Sequence, residues 1–350
     1  MKNEYTQQYL TTPEELSAYR ELFLRNGSEK NMDQLMWIHF KNPASSSKIL
    51  QTFDKNNELV AIIATINLVF KVGNTTQLAC QTIDLLTDSE HYGQGLFKTA
   101  GTTLYQKLEE EKYAFTYAFP NDKSVHGFTN KLDWELLDPM PFIIKPLRSG
   151  FFAKKIVGQK LGSLFDIGLF RKKTPRLPKN ATIKKIERFD DDATLLWNSF
   201  SSQIDVAVQR DAKYLNWRYF EKPNEDYKNY GYYDQEVLVG FVVFAIKEKH
   251  GGSVGYIMEL LYHREEESVG AQLLQLATNK MIDKKTDVCL AWCFKHAPNY
   301  RAFKKQRFMT FIEKLRPITL HIGFRSLSIT TPLIKKRENW YISYSDSDTV

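Results

Sequence analysis

The feature that most constrains the fold is a glycine-containing turn between an apolar strand and a long amphipathic helix. The turn reads His91-Tyr92-Gly93-Gln94-Gly95. Residues 83–86 before it form a short apolar run, and residues 98–112 after it carry apolar side chains at helical spacing. A glycine turn at a helix N-terminus leaves backbone N–H groups pointing outward, where they can bind phosphate groups. The sequence therefore predicts a strand–turn–helix unit with an anion-binding end.

The elements after this helix follow in a fixed order. Residues 113–119 predict an aromatic-rich strand, which Pro120 ends because proline cannot donate to a sheet ladder. Residues 121–124 form a polar loop, and residues 127–134 predict a short helix that leads into another strand.

This order and its motifs resemble the GNAT superfamily of acyl-CoA-dependent N-acyltransferases. Residues 90–97 stand where that family has its diphosphate loop, with Glu90 in place of the leading Arg/Gln and Tyr92 in place of an Arg. Phe-Pro-Asn at 119–121 with Ser124, and Lys-Leu-Asp-Trp at 131–134, are similar to two further motifs of the family. The resemblance implies acetyl-CoA as acyl donor and a set of residues that bind it: Leu85, Leu86, Thr87, Tyr92, Gly93, Gln94, Gly95, Leu96, Phe97, Asn121 and Ser124.

A second feature covers the whole chain, because the sequence repeats itself at a spacing of roughly 175 to 180 residues. Trp37 aligns with Trp217, residues 83–86 align with residues 258–261, and Gly95 aligns with Gly270. The predicted fold is therefore α+β, with two tandem GNAT-like domains, each a mixed, mostly antiparallel central sheet flanked by helices. The predicted bounds are 1–147 for the first domain, 148–180 for a basic amphipathic linker and 181–350 for the second domain.

The two repeats differ where a CoA diphosphate would bind. Three consecutive glutamates, at 265–267, precede Gly270 in the second repeat, and their charge would repel a diphosphate. We therefore expect acyl-CoA to bind only to the first repeat. The second repeat is expected to shape the acceptor pocket.

Acetyl transfer to an amine needs a group that takes the amine proton. Asp84 is the candidate base, because it lies on the strand before the glycine turn, where similar enzymes often carry Glu. An equally good interpretation is that Asp84 only caps a neighbouring backbone group, and the equivalent Glu259 favours a structural role. The tyrosine with which the family protonates the thiolate would fall on Thr129; His126 is the second catalytic candidate and Tyr117 a substitute, although a lone histidine is more often a plain surface residue.

Positive charge is concentrated in one segment. The net charge is +7, and residues 145–179 hold ten basic residues and one acidic residue, which leaves −2 for the rest of the chain. We therefore expect no nucleic-acid binding. The segment predicts an amphipathic helix packed between the domains, and the alternative is weak contact of residues 151–173 with an anionic membrane surface.

Other features favour a soluble cytoplasmic protein. No apolar run approaches the length of a membrane span, and the N-terminus lacks the apolar core of a signal peptide. Cys80, Cys289 and Cys293 lack metal-ligand spacing and are expected to be buried reduced thiols, so no metal is expected. At the C-terminus, residues 340–344 alternate like a closing strand. Asp346 and Asp348 beyond it are expected to form a frayed acidic tail, and the alternative is that they face a cationic acceptor.

The function expected from this resemblance is transfer of an acetyl group from acetyl-CoA to a primary amine of a small molecule. An amino sugar of surface-polysaccharide metabolism is the first candidate acceptor, by analogy with similar bacterial proteins. One alternative is the Fem-type aminoacyltransferases, which pair GNAT-like units and take aminoacyl-tRNA. Another is a non-catalytic binding or scaffold protein.

Arg218 has no counterpart in the first repeat, where Ile38 stands, and is a candidate contact for a carboxylate or phosphate.

Overall fold

The computed structural model describes residues 4–151, 153, 158, 164, 166–311 and 319–347. In this part the strands are β1 (Thr6–Tyr9), β2 (Ile49–Phe53), β3 (Leu59–Val72), β4 (Thr75–Thr87), β5 (Phe115–Ala118), β6 (Glu135–Leu137), β7 (Phe142–Pro146), β8 (Ala181–Lys185), β9 (Val206–Val208), β10 (Lys228–Asp234), β11 (Val237–Lys249), β12 (Gly252–Tyr262), β13 (Val288–Trp292), β14 (Met309–Thr310) and β15 (Ile322–Ser326). The α-helices are α1 (Leu16–Arg25), α2 (Met32–Phe40), α3 (Leu96–Glu110), α4 (Val125–Leu132), α5 (Asp191–Phe200), α6 (Ala212–Tyr219), α7 (Glu267–Asp283) and α8 (Tyr300–Lys305).

The strands form two mixed sheets with the same order and the same strand directions. The first sheet runs β1-β2-β3-β4-β5-β15-β6, with β9 also paired to β3, and the second runs β8-β10-β11-β12-β13-β7-β14. In each sheet the fourth and fifth strands are parallel, and the other neighbours along the sheet are antiparallel. The mixed, mostly antiparallel sheets that the sequence predicts are therefore present.

The sixth strand of each sheet comes from the other half of the chain. Strand β15 lies between β5 and β6 in the first sheet, and β7 lies between β13 and β14 in the second. The predicted domain bounds, 1–147 and 181–350, divide the sequence into two parts. Each sheet nevertheless contains one strand from the other part. The two halves are therefore joined through hydrogen-bonded strands as well as through side-chain packing.

Helices cover both faces of the first sheet because alternate residues of a strand point to opposite faces. Ile62 and Ala64 of β3 belong to the core that also holds Tyr19 of α1 and Leu35 of α2. The residue between them, Ile63, packs in a separate core with α3 and α4. Helix α3 thus lies on one face of the sheet, and α1 and α2 lie on the other.

The C-terminal residues 340–344 differ from the sequence-based prediction, and only part of the predicted linker is described. Residues 340–344 form no closing strand: Trp340 makes one isolated bridge to Val206, and a short 3-10 helix follows at Tyr344–Asp346. Most of the predicted linker helix lies outside the described residues. Within the described part, Arg148 bridges to Gly168 and forms an ion pair with Asp166. No helix among the described residues is long and apolar enough to cross a membrane.

Candidate active site

The glycine turn presents its backbone amides at the start of α3. Gly93 and Gly95 have φ of 80° and 78°, a left-handed conformation that glycine adopts without strain, and Gly95 is the N-cap of the helix. A Cβ atom built on either glycine would meet no atom within 4 Å, so the space in front of the turn is open. Within the described residues, no protein acceptor takes up the N–H groups of Gly93, Gln94, Gly95, Leu96, Phe97 and Lys98. These amides and the helix dipole place partial positive charge at this end of α3.

The side chains of the first two helical residues serve packing. Leu96 is buried, and the ring of Phe97 lies at 5.9 Å from the ring of Phe128 and covers Gly127. Only the backbones of Leu96 and Phe97 therefore face the open side of the turn. Tyr92 is 65% exposed beside the glycines.

Strand β4 separates from β5 shortly before this turn. Their parallel pairing comprises Cys80 with Thr116 and Gln81 with Tyr117, whereas β4 continues to Thr87. Residues 82–87 keep their pairing with β3 on the opposite side through most of this length. Within the described residues, the edge of β4 at Leu85, Leu86 and Thr87, which are predicted to bind the acyl donor, is therefore not paired with β5.

A β-bulge in β4 determines where Asp84 points. Between the pairs Ile62–Leu86 and Ala64–Ile83, two residues of β4, Asp84 and Leu85, lie opposite the single residue Ile63 of β3. At this bulge Asp84 has a φ of 49°. Alternation would place Asp84 on the face opposite to Ile83, but both residues line the same pocket. The bulge thus turns the carboxylate toward α1 and α2.

The Asp84 carboxylate is bonded by side chains from α1 and from the loop after it. The Tyr19 hydroxyl donates to Oδ2 at 2.6 Å, and Lys30 Nζ lies at 2.5 Å from Oδ1. Among the described residues, the carboxylate accepts no backbone N–H bond, so the geometry does not show the capping role. Tyr19 and Lys30 were not predicted from the sequence, because no motif marks them and they meet Asp84 only through the tertiary fold.

Asp84 and Lys30 line a pocket that both halves of the chain build. Gln34 of α2 lies beside them, and Lys222 and Glu225 contribute from the segment after α6. Glu225 is itself paired with Lys247 at 2.8 Å and with Lys222 at 3.7 Å. The pocket therefore has acidic and basic groups on both sides, and the acceptor-shaping role of the second half stays a prediction.

His39 is a buried neutral group behind the pocket. Its ring lies at 5.6 Å from the ring of Tyr19, and neither ring nitrogen has a partner in the described part of the chain. Burial lowers the pKa of His39 to about 4; the Asp84 charge opposes this and the Lys30 charge reinforces it. The imidazole is therefore uncharged at neutral pH.

The other predicted site residues lie away from Asp84. His126 is exposed on α4, on the opposite face of the sheet, with Nδ1 at 3.1 Å from Asn130 Nδ2, and no contact joins it to Asp84 in the described residues. The Asn121 side chain accepts from the amides of Lys123 and Ser124 at 3.0 and 3.2 Å, which makes it a turn-forming residue. Roles for His126, Asn121 and Ser124 stay predictions.

The equivalent carboxylate of the second half is sealed in the interior. Glu259 is 1% exposed and accepts from Arg210 at 3.1 Å, from the Tyr341 hydroxyl at 2.5 Å and from Ser343 at 2.9 Å. Gly270 lies inside α7, where a Cβ atom would meet the ring of Tyr262 at 2.2 Å. Gly270 is thus a helix-packing residue, and the second half lacks a counterpart of the open glycine turn in its described residues.

The C-terminal segment occupies this part of the second half. Asp346 is 5% exposed and lies at 2.5 Å from Arg210, so the expectation of a frayed acidic tail is wrong for this residue. Arg218 is also buried and donates to the carbonyl oxygens of Ser345 and Ser347 at 3.0 and 2.7 Å. Arg218 therefore anchors the chain's own C-terminal segment.

No family model and no curated protein matches this chain. Solved structures do share its fold. A GCN5-related N-acetyltransferase from Anabaena variabilis superposes with a TM-score of 0.65 at 10% identity, covering 93% of this chain and 73% of that chain. A probable N-acyltransferase from Enterococcus faecalis gives a TM-score of 0.62 at 12% identity, with the same coverage.

A third similar structure is N-myristoyltransferase from Saccharomyces cerevisiae with bound myristoyl-CoA. Its TM-score is 0.60 at 11% identity, covering 91% of this chain and 82% of that chain. At such identities the likeness establishes the fold. The chain has the mixed α/β fold of GNAT-type acyltransferase structures.

Proposed function

We propose that this protein is an acyl-CoA-dependent N-acyltransferase that transfers an acetyl group to a primary amine of a small molecule. One observation carries the proposal: the open amides of the glycine turn lie at one end of the free edge of β4, and Asp84 lies on the same strand. The turn would bind an anion, the unpaired strand edge would take an extended ligand, and Asp84 would accept a proton. These are the parts that acyl transfer from CoA requires.

The donor would bind along the first half of the chain. The amides of Gly93, Gly95 and the first turn of α3 would hold the diphosphate, and the open space in front of both glycines leaves room for it. The pantetheine arm would extend along Leu85, Leu86 and Thr87, where β4 has parted from β5. Backbone N–H groups on that edge can also stabilise the developing oxyanion.

The acceptor would enter from the α1–α2 face. Its amine nitrogen attacks the thioester carbonyl carbon, a C–N bond forms, the C–S bond breaks and CoA leaves as the thiolate, which then takes up a proton from solvent. Asp84 accepts the proton that the amine releases, directly or through water. Because Lys30 occupies Oδ1 in the resting structure, the acceptor must compete with this lysine for Asp84.

We infer an amino sugar as the first acceptor to test. Asn31, Gln34 and Glu225 offer amide and carboxylate groups around the pocket, and Trp37 supplies an aromatic surface. A polyhydroxylated amine can bond to several such groups at once. The reaction is assigned to the cytoplasm, because acyl-CoA is its donor.

The test is isothermal titration of acetyl-CoA into the purified protein and into two glycine variants. Gly95→Glu places a carboxylate in the proposed diphosphate site. Gly251→Glu is the matched control, because Gly251 also has a φ of 78° and open space around it but lies in the turn between β11 and β12. Both variants carry the same backbone strain, so a difference between them reports the site.

We expect micromolar binding by the wild type and by Gly251→Glu, and none by Gly95→Glu. Such a result would justify a screen of amines with acetyl-CoA, amino sugars first. Absence of binding to the wild type would contradict the proposal and would favour aminoacyl transfer of the Fem type or a non-catalytic role.

A further inference from the structure

We propose that Lys30 is a self-acetylation site: the protein transfers an acetyl group from bound acetyl-CoA to the Nζ atom of its own Lys30. The inference rests on the proposed acyltransferase function. It names a modification site in the acceptor pocket and a first amine that the site can use.

Lys30 Nζ lies where the nitrogen of an acceptor amine would have to lie. Lys30 lies in the loop between α1 and α2, lines the pocket, and holds Nζ at 2.5 Å from Asp84 Oδ1. An acceptor amine must place its nitrogen within hydrogen-bond distance of the base that removes its proton. In the resting structure a primary amine of the chain already occupies that position.

The surroundings of Lys30 hold its amine close to Asp84. Its Nζ lies 4.5 Å from the centre of the Phe23 ring, and its side chain is 27% exposed, so the amine is held at the pocket mouth and remains accessible. The other acidic group of the pocket, Glu225, is paired with Lys247 and Lys222 on the opposite side. His39, behind Asp84, is neutral. Asp84 is thus the carboxylate that faces Lys30.

The reaction balances without a further reactant. The Lys30 ammonium gives one proton to Asp84, and the neutral amine attacks the thioester carbonyl carbon. The C–N bond forms, the C–S bond breaks, and the CoA thiolate leaves; the surplus proton on the new amide nitrogen passes to the thiolate, which becomes the free thiol. The products are N-acetyl-Lys30 and CoA.

Acetylation would change the site as well as mark it. The amide of N-acetyl-Lys30 carries no positive charge, so the ion pair with Asp84 is lost. The Asp84 carboxylate can then pair with the ammonium group of an incoming acceptor. Self-acetylation therefore makes Oδ1 of Asp84 available to substrate, while Tyr19 still donates to Oδ2.

The experiment incubates the full-length protein with acetyl-CoA and no acceptor, followed by peptide mass mapping over time. Lys55 serves as the internal reference, because it is exposed in the same half of the chain and reports uncatalysed acetylation. Gly95→Glu, with Gly251→Glu as its control, tests dependence on the donor site. Titration of acetyl-CoA into the same samples measures donor binding separately.

We expect Lys30 to gain one acetyl group at least ~10-fold faster than Lys55, since it is held next to the reacting centre. The fraction of Lys30 modified per unit time should not depend on protein concentration. In the Gly95→Glu variant, Lys30 should be acetylated no faster than Lys55. Equal rates at Lys30 and Lys55 in a protein that binds acetyl-CoA would overturn this inference alone. Undiminished Lys30 acetylation in Gly95→Glu would also overturn it, and a wild type that does not bind acetyl-CoA would overturn it together with the proposed function.

Discussion

Trp37 of α2 and Trp217 of α6 stack with their ring centroids 4.4 Å apart and their planes at 16°. The two residues are 180 positions apart in the sequence, and each indole N–H donates to the main-chain carbonyl oxygen of the other, at 2.9 and 3.3 Å. Such a reciprocal contact between equivalent residues is the arrangement found at two-fold symmetric interfaces. Two residues that the sequence aligns at this spacing are therefore in direct contact.

This contact predicts strong coupling between the two tryptophans. Trp37→Ala and Trp217→Ala should each lower the free energy of unfolding by ~3–5 kcal/mol, because each removes a large buried ring. The double variant should cost less than the sum of the single variants, with a coupling of about 0.5–3 kcal/mol. Urea unfolding of the four proteins measures this.

Trp134→Ala is the matched control for that cycle. Trp134 is also buried, but it packs in the core between the first sheet and α3, apart from the core that holds the tryptophan pair. Its effect should therefore add to that of Trp217→Ala. Additive effects for the pair Trp37 and Trp217 would contradict a direct contact.

The parts of the fold that the sequence predicted depend on local pattern. The glycine turn, helix α3 and the apolar strand before it follow from residue types and spacing, and the tandem repeat is a prediction from aligned motifs such as those of Trp37 and Trp217. The exchange of β7 and β15 between the sheets could not be predicted, because strand pairing across the chain leaves no local signal. The same holds for the side of the sheet to which Asp84 points, since its φ of 49° arises from the bulge.

Local sequence pattern also predicts only part of the candidate site. Asp84 could be singled out from its place before the glycine turn, whereas Tyr19, Lys30 and Glu225 reach the pocket from distant segments. Charge in the sequence was also misleading at the C-terminus. Asp346 is acidic and near the chain end, yet the buried Arg210 holds it in the interior.

Asp84→Asn should leave the fold and acetyl-CoA binding intact and lower the turnover number by ~10²–10⁴-fold, because asparagine keeps the shape but cannot accept a proton. Steady-state kinetics at saturating acetyl-CoA, with an acceptor found by the amine screen, would measure this. Asp133→Asn is the control, since Asp133 is exposed at the end of α4 and has a φ of 55° that asparagine tolerates. A fully active Asp84→Asn variant would show that Asp84 is not the base.

Asp346→Ala should destabilise the protein by about 3–5 kcal/mol, because it leaves part of the buried Arg210 charge without its partner. Acetyl-CoA binding at the glycine turn should change little, since Asp346 belongs to the sealed network of the second half. Thermal unfolding and titration of acetyl-CoA separate these two effects. Glu338→Ala, at an exposed position of the same C-terminal region, should leave stability unchanged, and an equally stable Asp346→Ala protein would contradict a structural role for the network.

His39 should make the protein sensitive to mild acid. Burial lowers its pKa to about 4 in the folded state, against about 6.5 for an unfolded chain, so the unfolded chain binds more protons between these values. The contribution of neutral His39 is therefore fully present above pH of about 6.5 and is lost as the pH falls toward about 4, by at most about 3 kcal/mol. Urea unfolding at a series of pH values would show this loss.

His39→Phe isolates that contribution. Neither ring nitrogen of His39 has a partner in the described part of the chain, so an apolar ring should be tolerated at pH 7 and should even stabilise the protein. Between pH 6.5, which is about the ordinary histidine pKa, and pH 4, the free energy of unfolding of the variant should fall much less than that of the wild type. His250→Asn is the control, because His250 is exposed in a turn with a φ of 57°. If His39→Phe keeps the acid sensitivity of the wild type, other groups cause it and His39 is not the titrating residue.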